Sequence, residues 1–594
     1  MPSPLLCFAV RRLRAAAILG CTTVAVLIAL GLTTYAASDA AAHSPPLGFE
    51  KDARPILADA CFACHNEKKH KGHVDFTAFK DEKSVLKQRK VWRKAIEQIE
   101  AMEMPPEDEK QLSPEQKATL LAWMKQAANY VDCDRPAGID PGPAPVRRLD
   151  RAEYNNTIRD LLGIDFDAGD AVGMPDEMSG SSFANLANGL ILPPTLMDKY
   201  FASAEKVLDI AIGPADGGSP PQREDKQKKQ AKKALDALFI ARPGADSPPR
   251  EAARKVLERF ARRAYRRPLR EGEADRLLTL FDLSQADGEK FELSVRLACK
   301  AVLVSPHFLM RVEQERPSTN GKAATGLDDY ELATRLSYFL WSSMPDEPLF
   351  ELAGEHKLSD PSALEQQVRR MIADPKAKAL TDQFGMQWLQ TRKVMTARPS
   401  TEFFPTFTND LRQAMFDESY TFFNKLREED RSVLDLLNAD YTYVNEELAR
   451  HYGIPDVKGK ELRKVSLKPE YHRGGLLGMG SMLSLTSHTF RTSPTLRGKY
   501  VLEVIFGTPP PPPPPNAGGM FKNEKRGEAK SFREQMAMHA SQPACASCHK
   551  RIDPLGYGLE NFDAVGRWRN DAGGRPLDND GILPSGEKFV GPME

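Results

Sequence analysis

Two copies of a Cys-x-x-Cys-His pentapeptide are the residues of this chain that are best suited to chemistry. The first copy, CFACH, contains Cys61, Cys64 and His65, and the second, CASCH, contains Cys545, Cys548 and His549. In this pattern the two thiols form thioethers with the vinyl groups of a haem, and the adjacent histidine coordinates the iron from the same short helical turn. With 8 Cys and 11 His in 594 residues, one copy would arise by chance about 0.002 times per chain. The sequence therefore predicts two covalently attached haem c groups.

Two other kinds of site also use a Cys-x-x-Cys pair. A zinc site would require the two pairs to come together although 484 positions separate them, and it leaves the histidine after each pair without a role. A thioredoxin-like disulfide is expected in a βαβ context, and the sequence around neither pair has that pattern. Haem is therefore favoured over zinc and over a redox disulfide at both motifs.

The first haem has a candidate for its sixth iron ligand. Met104 follows His65 by 39 residues and stands directly before Pro105-Pro106. A rigid extended turn there would hold the methionine sulfur against the opposite face of the haem. Ligation by His and Met raises the reduction potential and suits electron transfer. The alternative is that Met104 packs in the core, as we expect for Met102.

A basic loop follows the first histidine. Its sequence is NEKKHKGH, and we expect His70 and His73 to be exposed in it rather than bound to iron. Lys68, Lys69 and Lys71 would give the loop a positive charge that steers an acidic redox partner.

The second haem has no comparable sixth ligand. The candidate side chains are Met536, Met538, His539, His488 and Met593. None of them precedes a proline as Met104 does. Either a residue brought by the fold completes the coordination of the iron, or the site is five-coordinate and can bind a small ligand.

Helical segments are predicted around the first motif. One helix is expected at about 49–60, a second at about 84–102 and a third from Ser113. Ser113 can cap the third helix, and Gln116 closes a capping box with it. Residues 45–132 are therefore predicted to form a class I cytochrome c-like domain.

The rest of the chain has mainly helical periodicity and few alternating strands. Helix starts are indicated at Asp328, whose box partner is Glu331, and at Asp360-Pro361. The predicted fold is mainly α, with a large multi-helical middle after the cytochrome-like domain. The predicted division is a linker at 133–145, a helical region at 146–320, a helical domain at 321–455, a helical and loop region at 456–508, a polyproline spacer at 509–515 and the segment of the second motif at 516–594.

The spacer consists of seven consecutive prolines from Pro509 to Pro515. Such a run must adopt polyproline II and would span about 22 Å as a stiff rod. It is expected to separate the helical middle from the second motif. A ligand for a proline-reading domain is the alternative, but such domains are mostly intracellular.

The N-terminus predicts export. Three arginines between positions 11 and 14 precede an apolar run at 15–32, and small residues follow up to Ala42. Residues 1–42 are expected to be a signal peptide, or an N-terminal anchor that attaches the chain to the membrane through residues 15–32. The rest of the chain is expected in the periplasm. Lys+Arg and Asp+Glu both total 82, so the charge gives no reason to expect nucleic acid as a partner.

Two cysteines lie outside the leader and the motifs. In an oxidising compartment Cys133 and Cys299 could form a disulfide if the fold brought them together. Two isolated thiols are the favoured interpretation, with Cys299 buried on the helix ELSVRLACK.

The chain resembles planctomycete-type cytochrome c proteins, a group of large exported multi-domain proteins of unknown function. Besides the two Cys-x-x-Cys-His motifs and Met104-Pro105-Pro106, the resemblance rests on RLDRAEYN at 148–155 with DLLG at 160–163, FARRAYRRPL at 260–269, SPHFL at 305–309, LATRLSYFLW at 332–341, RGGLLG at 473–478, SP at 493–494 with RG at 497–498, the proline run and CASCHKRIDPLGYGLENFDAVGRWR at 545–569. These motifs cover nearly the whole chain. The resemblance implies no substrate.

Two differences from the related proteins matter. Those proteins often have Met where Ile552 stands, so this chain lacks one candidate near the second haem. They also usually continue with a further helical domain after a segment like GILPSGEKFVGPME. The chain is therefore expected to stop early at Glu594, which would remove a lid or ligand of the second site.

The sequence favours an electron-transfer protein, in which two c-type haems on a helical body exchange electrons with an unidentified redox partner protein. The first alternative is a peroxidase- or oxidase-like haem enzyme, whose five-coordinate second haem is fed by the first. In that case His488 and Arg491 would act as general base and charge stabiliser, unless they only hold a loop together. The second alternative is a scaffold or binding protein with accessory haems. No catalytic residue is assigned.

Overall fold

The computed structural model describes residues 47–594 except 101–102, 107, 130–144, 178–182, 217–224, 246, 315–325, 512–531, 541–542, 573 and 584–585. The predicted leader, Cys133 and most of the linker and of the proline run lie outside the described residues. Within this part of the chain, no helix is long and apolar enough to cross a membrane.

Helices dominate the described residues, which confirms the mainly α prediction. In chain order the α-helices longer than three residues are α1 Arg54–Ala60, α2 Glu82–Lys87, α3 Arg89–Glu100, α4 Pro114–Asn129, α5 Arg151–Leu162, α6 Ala168–Val172, α7 Pro194–Ala211, α8 Asp225–Leu238, α9 Pro249–Tyr265, α10 Glu273–Ala286, α11 Phe291–Leu303, α12 Pro306–Leu309, α13 Asp329–Trp341, α14 Glu347–Gly354, α15 Pro361–Ala373, α16 Asn409–Glu428, α17 Asp435–Asn438, α18 Glu446–Tyr452, α19 Gly480–Leu485, α20 Pro494–Tyr500, α21 Phe532–Ala540 and α22 Pro543–Tyr557.

The strands are short and pair two by two. They are β1 Arg147–Arg148 with β2 Met310–Arg311, β3 Tyr441–Val444 with β4 Arg463–Ser466, β5 Asp571–Ala572 with β6 Arg575–Pro576, and β7 Asp580–Ile582 with β8 Lys588–Val590. The chain divides into two compact units. The first contains the described residues within 1–136, 494–558 and 578–589, and the second contains those within 137–493, 559–577 and 590–594. The predicted domain limits stay predictions.

An aromatic core supports the first motif in the first unit. The predicted helix at 49–60 consists of a π-helical turn, Phe49–Ala53, that continues into α1, whereas the predicted second helix is split into α2 and α3. α4 begins with the predicted capping box, because the N–H of Gln116 donates to Oγ of Ser113 and the N–H of Ser113 donates to Oε1 of Gln116. In the core, Trp92 meets Trp123 edge-on at 4.9 Å between ring centroids.

The first unit also contains α20 and α22, whose backbones touch. A Cβ added at Gly498 would lie 1.9 Å from the carbonyl oxygen of Ile552, and one at Gly556 would lie 1.9 Å from the carbonyl oxygen of Pro494. Only glycine allows two backbones to approach so closely. The proline run therefore does not keep α20, which precedes it, away from the helix that carries the second motif.

Helices also build the core of the second unit. Its largest apolar cluster is formed mainly by side chains of α5 and α7–α11. The predicted capping box of Asp328 and Glu331 starts α13, and Asp360 caps α15. Arg266 has 4 % of its surface exposed, and its guanidinium donates to the carbonyl oxygens of His307, Phe308 and Met310. This arginine thus joins two of the motifs that carry the family resemblance.

A buried polar network lies between α16 and α18 in the second unit. Glu418 accepts hydrogen bonds from the hydroxyls of Thr442 and Tyr452, both at 2.6 Å. The guanidinium of Arg473 lies 3.6 Å from the centroid of the Tyr452 ring and donates to the carbonyl of Gly478 at 2.6 Å. Burial raises the pKa of Glu418 to about 7, although both hydrogen bonds and the charge of Arg473 lower it.

Candidate haem sites

The first motif lies in a hydrogen-bonded turn at the end of α1. The N–H groups of Cys61 and Phe62 both donate to the carbonyl of Leu57, at 2.8 and 2.9 Å. The N–H of His65 donates to the carbonyl of Cys61 at 3.0 Å. The side chain of Asn66 donates to the carbonyl of Phe62 at 2.7 Å and closes the turn. The two cysteines and the histidine therefore share one short turn, as attachment of haem c requires.

Aromatic side chains orient the ring of His65. The ring of Phe76 meets it edge-on at 5.3 Å between centroids, and Phe76 itself stacks on Trp92. The N–H of Phe76 also donates to the carbonyl of His65 at 3.0 Å. The Nδ1 atom of His65 is buried and has no hydrogen-bond partner among the described residues. The ring therefore has bonding capacity that no described protein group uses.

Met104 reaches the same cavity as the first motif. After α3 the N–H groups of Glu103 and Met104 both donate to the carbonyl of Gln98, at 2.9 and 3.2 Å, which turns the chain back. The side chain of Met104 is half-buried against the aromatic core. Cys61, Cys64, His65 and Met104 all line one cavity of about 240 Å³. The structure thus brings together the four residues predicted for the first site.

The chemistry of this cavity suits a haem. Its walls are mainly apolar, from Val74, Phe76, Val91, Ala95, Ile99, Leu112 and Met124. Cys61 and Cys64 are free thiols, and burial, together with the neighbouring Cys64, raises the pKa of Cys61 to about 11. Two free thiols, a histidine and a methionine on one apolar cavity are the donor set of a haem c with His/Met ligation.

Positive charge lies at the edge of the cavity. Lys71 and Lys94 line it, and both side chains are exposed. The exposed residues of the loop after the first motif include Lys68, Lys69, His70, Lys71 and His73, together with Glu67. The predicted exposure of the two loop histidines is confirmed. A partner that approaches this edge would meet Lys71 and Lys94.

The second motif lies inside a helix, α22, rather than in a turn. Cys545, Cys548 and His549 are three and four positions apart, so helical geometry places them on one face. Both cysteines are free thiols, and all three side chains are partly exposed. Two thiols and a histidine on one helix face are the groups that would hold a haem c.

A buried carboxylate lies next to the second histidine. The Nδ1–H of His549 donates to Oδ2 of Asp553 at 2.8 Å, and the hydroxyl of Thr495 donates to Oδ1 of Asp553 at 3.0 Å. The hydrogen bond to Asp553 raises the pKa of His549. Because Nδ1 holds the proton of this bond, Nε2 of the neutral ring has the lone pair that a metal needs. The residues at this motif therefore also fit a haem c.

A neighbouring helix is fixed on α22 by polar and aromatic contacts. The guanidinium of Arg533, on α21, lies 4.5 Å from the ring centroid of Tyr557 and pairs with Asp580 at 2.8 Å. The hydroxyl of Tyr557 donates to the sulfur of Met536 at 3.9 Å. Met536, a predicted candidate for the sixth ligand, is thus buried and engaged with the end of α22.

Two of the other candidates for the sixth ligand lie in the second unit. His488 and Met593 belong to the second unit, where Met593 is 68 % exposed. The N–H of His488 donates to the carbonyl of Arg491 at 2.9 Å and closes a turn. The side chains of Met538 and His539 lie outside the described part of the chain. Ile552 is buried where α22 meets α20. No sixth ligand is assigned to the second site.

Five family models match the chain. The model described as Planctomycete cytochrome C matches residues 61–108, which contain the first motif and Met104. Four models described as proteins of unknown function follow: DUF1587 at 147–213, DUF1595 at 252–313, DUF1592 at 327–454 and DUF1588 at 473–572. The chain belongs to the planctomycete cytochrome c family of multi-domain proteins. Comparisons with curated proteins and with solved structures give no match.

The second Cys-x-x-Cys-His motif of this planctomycete cytochrome c protein lies within the match at 473–572. That match also contains α20, so it covers both helices whose backbones touch. It contains Asp553 as well, which was not predicted from the sequence. The spacing of four between His549 and Asp553 is a usable signal, since both residues lie on one face of a helix. No local pattern indicates Thr495, which lies 58 positions before Asp553.

Among the described residues of this planctomycete cytochrome c protein, the cysteine outside the two motifs is Cys299, which forms no disulfide. Cys299 is a free, fully buried thiol on α11, as predicted, and burial raises its pKa. Cys133 lies outside the described residues, so its predicted isolation stays a prediction.

Proposed function

We propose that this planctomycete cytochrome c protein is an exported dihaem c-type cytochrome that exchanges electrons with a redox partner protein. The observation that carries the proposal is that Cys61, Cys64, His65 and Met104 line one apolar cavity. Haem c bound there supplies one-electron exchange between Fe(III) and Fe(II).

In the first site each residue has a distinct task. Cys61 and Cys64 anchor the group covalently, while His65 and Met104 provide a nitrogen and a sulfur ligand. Phe76 holds the ring of His65 in place, and the apolar walls exclude water. A dry site with little polar reorganisation favours fast electron exchange. The lysines at its edge attract an acidic partner.

In the second site Cys545 and Cys548 anchor the group from α22, and His549 provides a nitrogen ligand. Asp553 fixes the tautomer and the orientation of this histidine. The close contact between α20 and α22 holds the helix that carries the motif.

The proposal is tested by counting covalent haems. The full chain is produced in cells that contain the haem-maturation machinery, and the haems are counted by intact mass and by haem-stained gels. We expect two haems in the unmodified protein, one in C61S/C64S, one in C545S/C548S and two in the control C299S. A single haem in the unmodified protein refutes the dihaem proposal, and the double variants show which motif is loaded.

The same preparations test export. Loss of residues 1–42 from the intact mass, with the protein in the periplasmic fraction, supports a cleaved signal peptide. A full-length chain in the membrane fraction supports an anchor through residues 15–32. Recovery in the cytoplasm without haem contradicts export.

A second candidate function is a haem enzyme with a five-coordinate second haem. It is supported by the hydrogen bond from His549 to Asp553, since a carboxylate on the far side of a ligating histidine makes that ligand a stronger donor. Exposure of the ferrous protein to carbon monoxide tests it. Binding by the second haem supports an open coordination position, and resistance of both haems excludes one.

A further inference from the structure

The two ligating histidines have different surroundings at Nδ1. His549 donates from this atom to Oδ2 of Asp553 at 2.8 Å. The Nδ1 atom of His65 is buried and no described residue offers it a carboxylate or a carbonyl. A hydrogen bond to a carboxylate raises the basicity of a ligating histidine and stabilises the higher charge of the metal. The two sites therefore hold iron with histidines of unequal donor strength.

The position of Asp553 is closely determined by its surroundings. Only 4 % of its surface is exposed, so the charge is little screened by water. Its second oxygen accepts a hydrogen bond from Thr495 on α20. Thr495 is held near because Gly498 and Gly556 allow α20 and α22 to touch. Removal of either partner of Asp553 should thus change the charge that His549 experiences.

We propose that Asp553 is a positioning residue that, by holding the Nδ1 proton of His549, sets the second haem at a lower reduction potential than the first. The inference rests on the proposed function, because it needs haem c at Cys545 and Cys548. The carboxylate stabilises Fe(III) relative to Fe(II) at the second site. At the first site, methionine ligation acts in the opposite direction and raises the potential.

The unequal reduction potentials set the direction of electron flow between the two sites. A single electron added to the oxidised protein resides at equilibrium on the first haem, so that iron is Fe(II) while the second stays Fe(III). Electrons from a donor would then enter at the site of His549 and pass to the site of His65, where the reduction potential is higher. No proton or other bond needs to change in this exchange.

A redox titration of the full-length dihaem protein tests the proposal, with C61S/C64S and C545S/C548S used to assign each potential to its haem. In D553N, which removes the charge and keeps the shape, we expect the Fe(III)/Fe(II) equilibrium of the second haem to shift about tenfold towards Fe(II), equal to ~59 mV for one electron. The potential of the first haem stays unchanged.

In T495V the carboxylate loses its other donor, and we expect the Fe(III)/Fe(II) equilibrium of the second haem to shift about twofold in the opposite direction, towards Fe(III). D578N is the control, because Asp578 pairs with Arg533 and its substitution changes the net charge equally.

The outcomes distinguish failure of the proposed function from failure of the role proposed for Asp553. A haem count of one at the start contradicts the proposed function and is seen before any titration. Two bound haems with an unchanged second potential in D553N overturn the role of Asp553 alone, and so does a second potential above the first in the unmodified protein. If D553N fails to retain its second haem, T495V decides: a shift towards Fe(III) supports the proposal, and no shift or a shift towards Fe(II) contradicts it.

Discussion

His65 and Met104 stand 39 residues apart in the sequence and line the same apolar cavity of the first unit. The turn after α1 places the histidine, and the turn after α3 places the methionine. Each turn is fixed by backbone hydrogen bonds, to the carbonyls of Leu57 and Gln98 respectively. A ligand pair assembled from two separately fixed turns loses little conformational entropy when it binds its metal.

Replacement of Met104 by leucine should open the first haem. Leucine keeps the apolar volume and removes the sulfur, so the fold is preserved while the iron loses a ligand. We expect ferrous M104L to bind carbon monoxide at the first haem and to show a lower potential there than the unmodified protein. The measurement is an absorption spectrum with and without the gas in the C545S/C548S background.

The matched control for that experiment is M124L. Met124 lines the same cavity but is fully buried in the aromatic core, and its sulfur is not proposed as a ligand. We expect its spectrum to stay unchanged. Identical ligand-field spectra of M104L and the unmodified protein would contradict the assignment of Met104 as an iron ligand.

The lysines of the loop after the first motif should steer charged redox reagents. We expect K68E/K69E/K71E to slow oxidation of the first haem by ferricyanide, an anion, by about tenfold at low ionic strength. The effect should shrink with added salt, since the charges are exposed and screened. Stopped-flow absorption in the C545S/C548S background measures the rate.

Two comparisons make this test specific. Oxidation by a cationic cobalt complex should become faster in the same variant, because the sign of the interaction is reversed. K87E should change neither rate much, since Lys87 ends α2, outside the loop of which Lys71 lines the cavity. Equal rates for both reagents in all proteins contradict a steering role.

Local signals predicted much of the first site. The capping box of Ser113 and Gln116 and the helix starts at Asp328 and Asp360 depend on residues within one turn of each other, and all are confirmed. The Cys-x-x-Cys-His spacing predicted the thiols and histidines because these residues also lie within about one turn of each other. Met104 was predicted because the prolines after it mark its position; the structure places it on the cavity of the first motif, and its role as a ligand stays a prediction.

The second site depends on contacts that no local pattern encodes. Thr495 and Asp553 meet because α20 and α22 touch across the proline-rich connection, and that contact depends on glycines at 498 and 556. A stiff spacer was expected to separate these helices. Tertiary packing overrides such an expectation, because a connection constrains where two helices meet only through its length.

Substitution of Gly498 by alanine should loosen the second site. The added methyl would lie 1.9 Å from the carbonyl oxygen of Ile552, so α20 and α22 must separate. We expect a loss of about 1–3 kcal/mol of unfolding free energy, as for overpacking of a core. Thermal unfolding followed at the haem absorption of a C61S/C64S background reports it. G244A is the control, because the space around that residue is open; an equal change in both variants contradicts the packing argument.

Glu418 should make the second unit less stable as the pH rises. Its pKa is raised by burial from 4.5 to about 7, so the folded state binds the proton more tightly than the unfolded state does. The stabilisation from this proton is complete below about pH 4.5 and is lost as the pH rises through about 7. The change is on the order of 3 kcal/mol at most.

In E418Q, which cannot ionise, this part of the pH dependence should disappear. Hydrogen exchange of peptides from α16 and α18, compared between E418Q and the unmodified protein at each pH from 4.5 to 8, measures the difference. Burial lowers the pKa of the nearby His451 to about 4, which gives the opposite trend, but His451 is present in both proteins and cancels in the difference. If protection of the two proteins differs by the same amount at every pH, Glu418 does not titrate in this range.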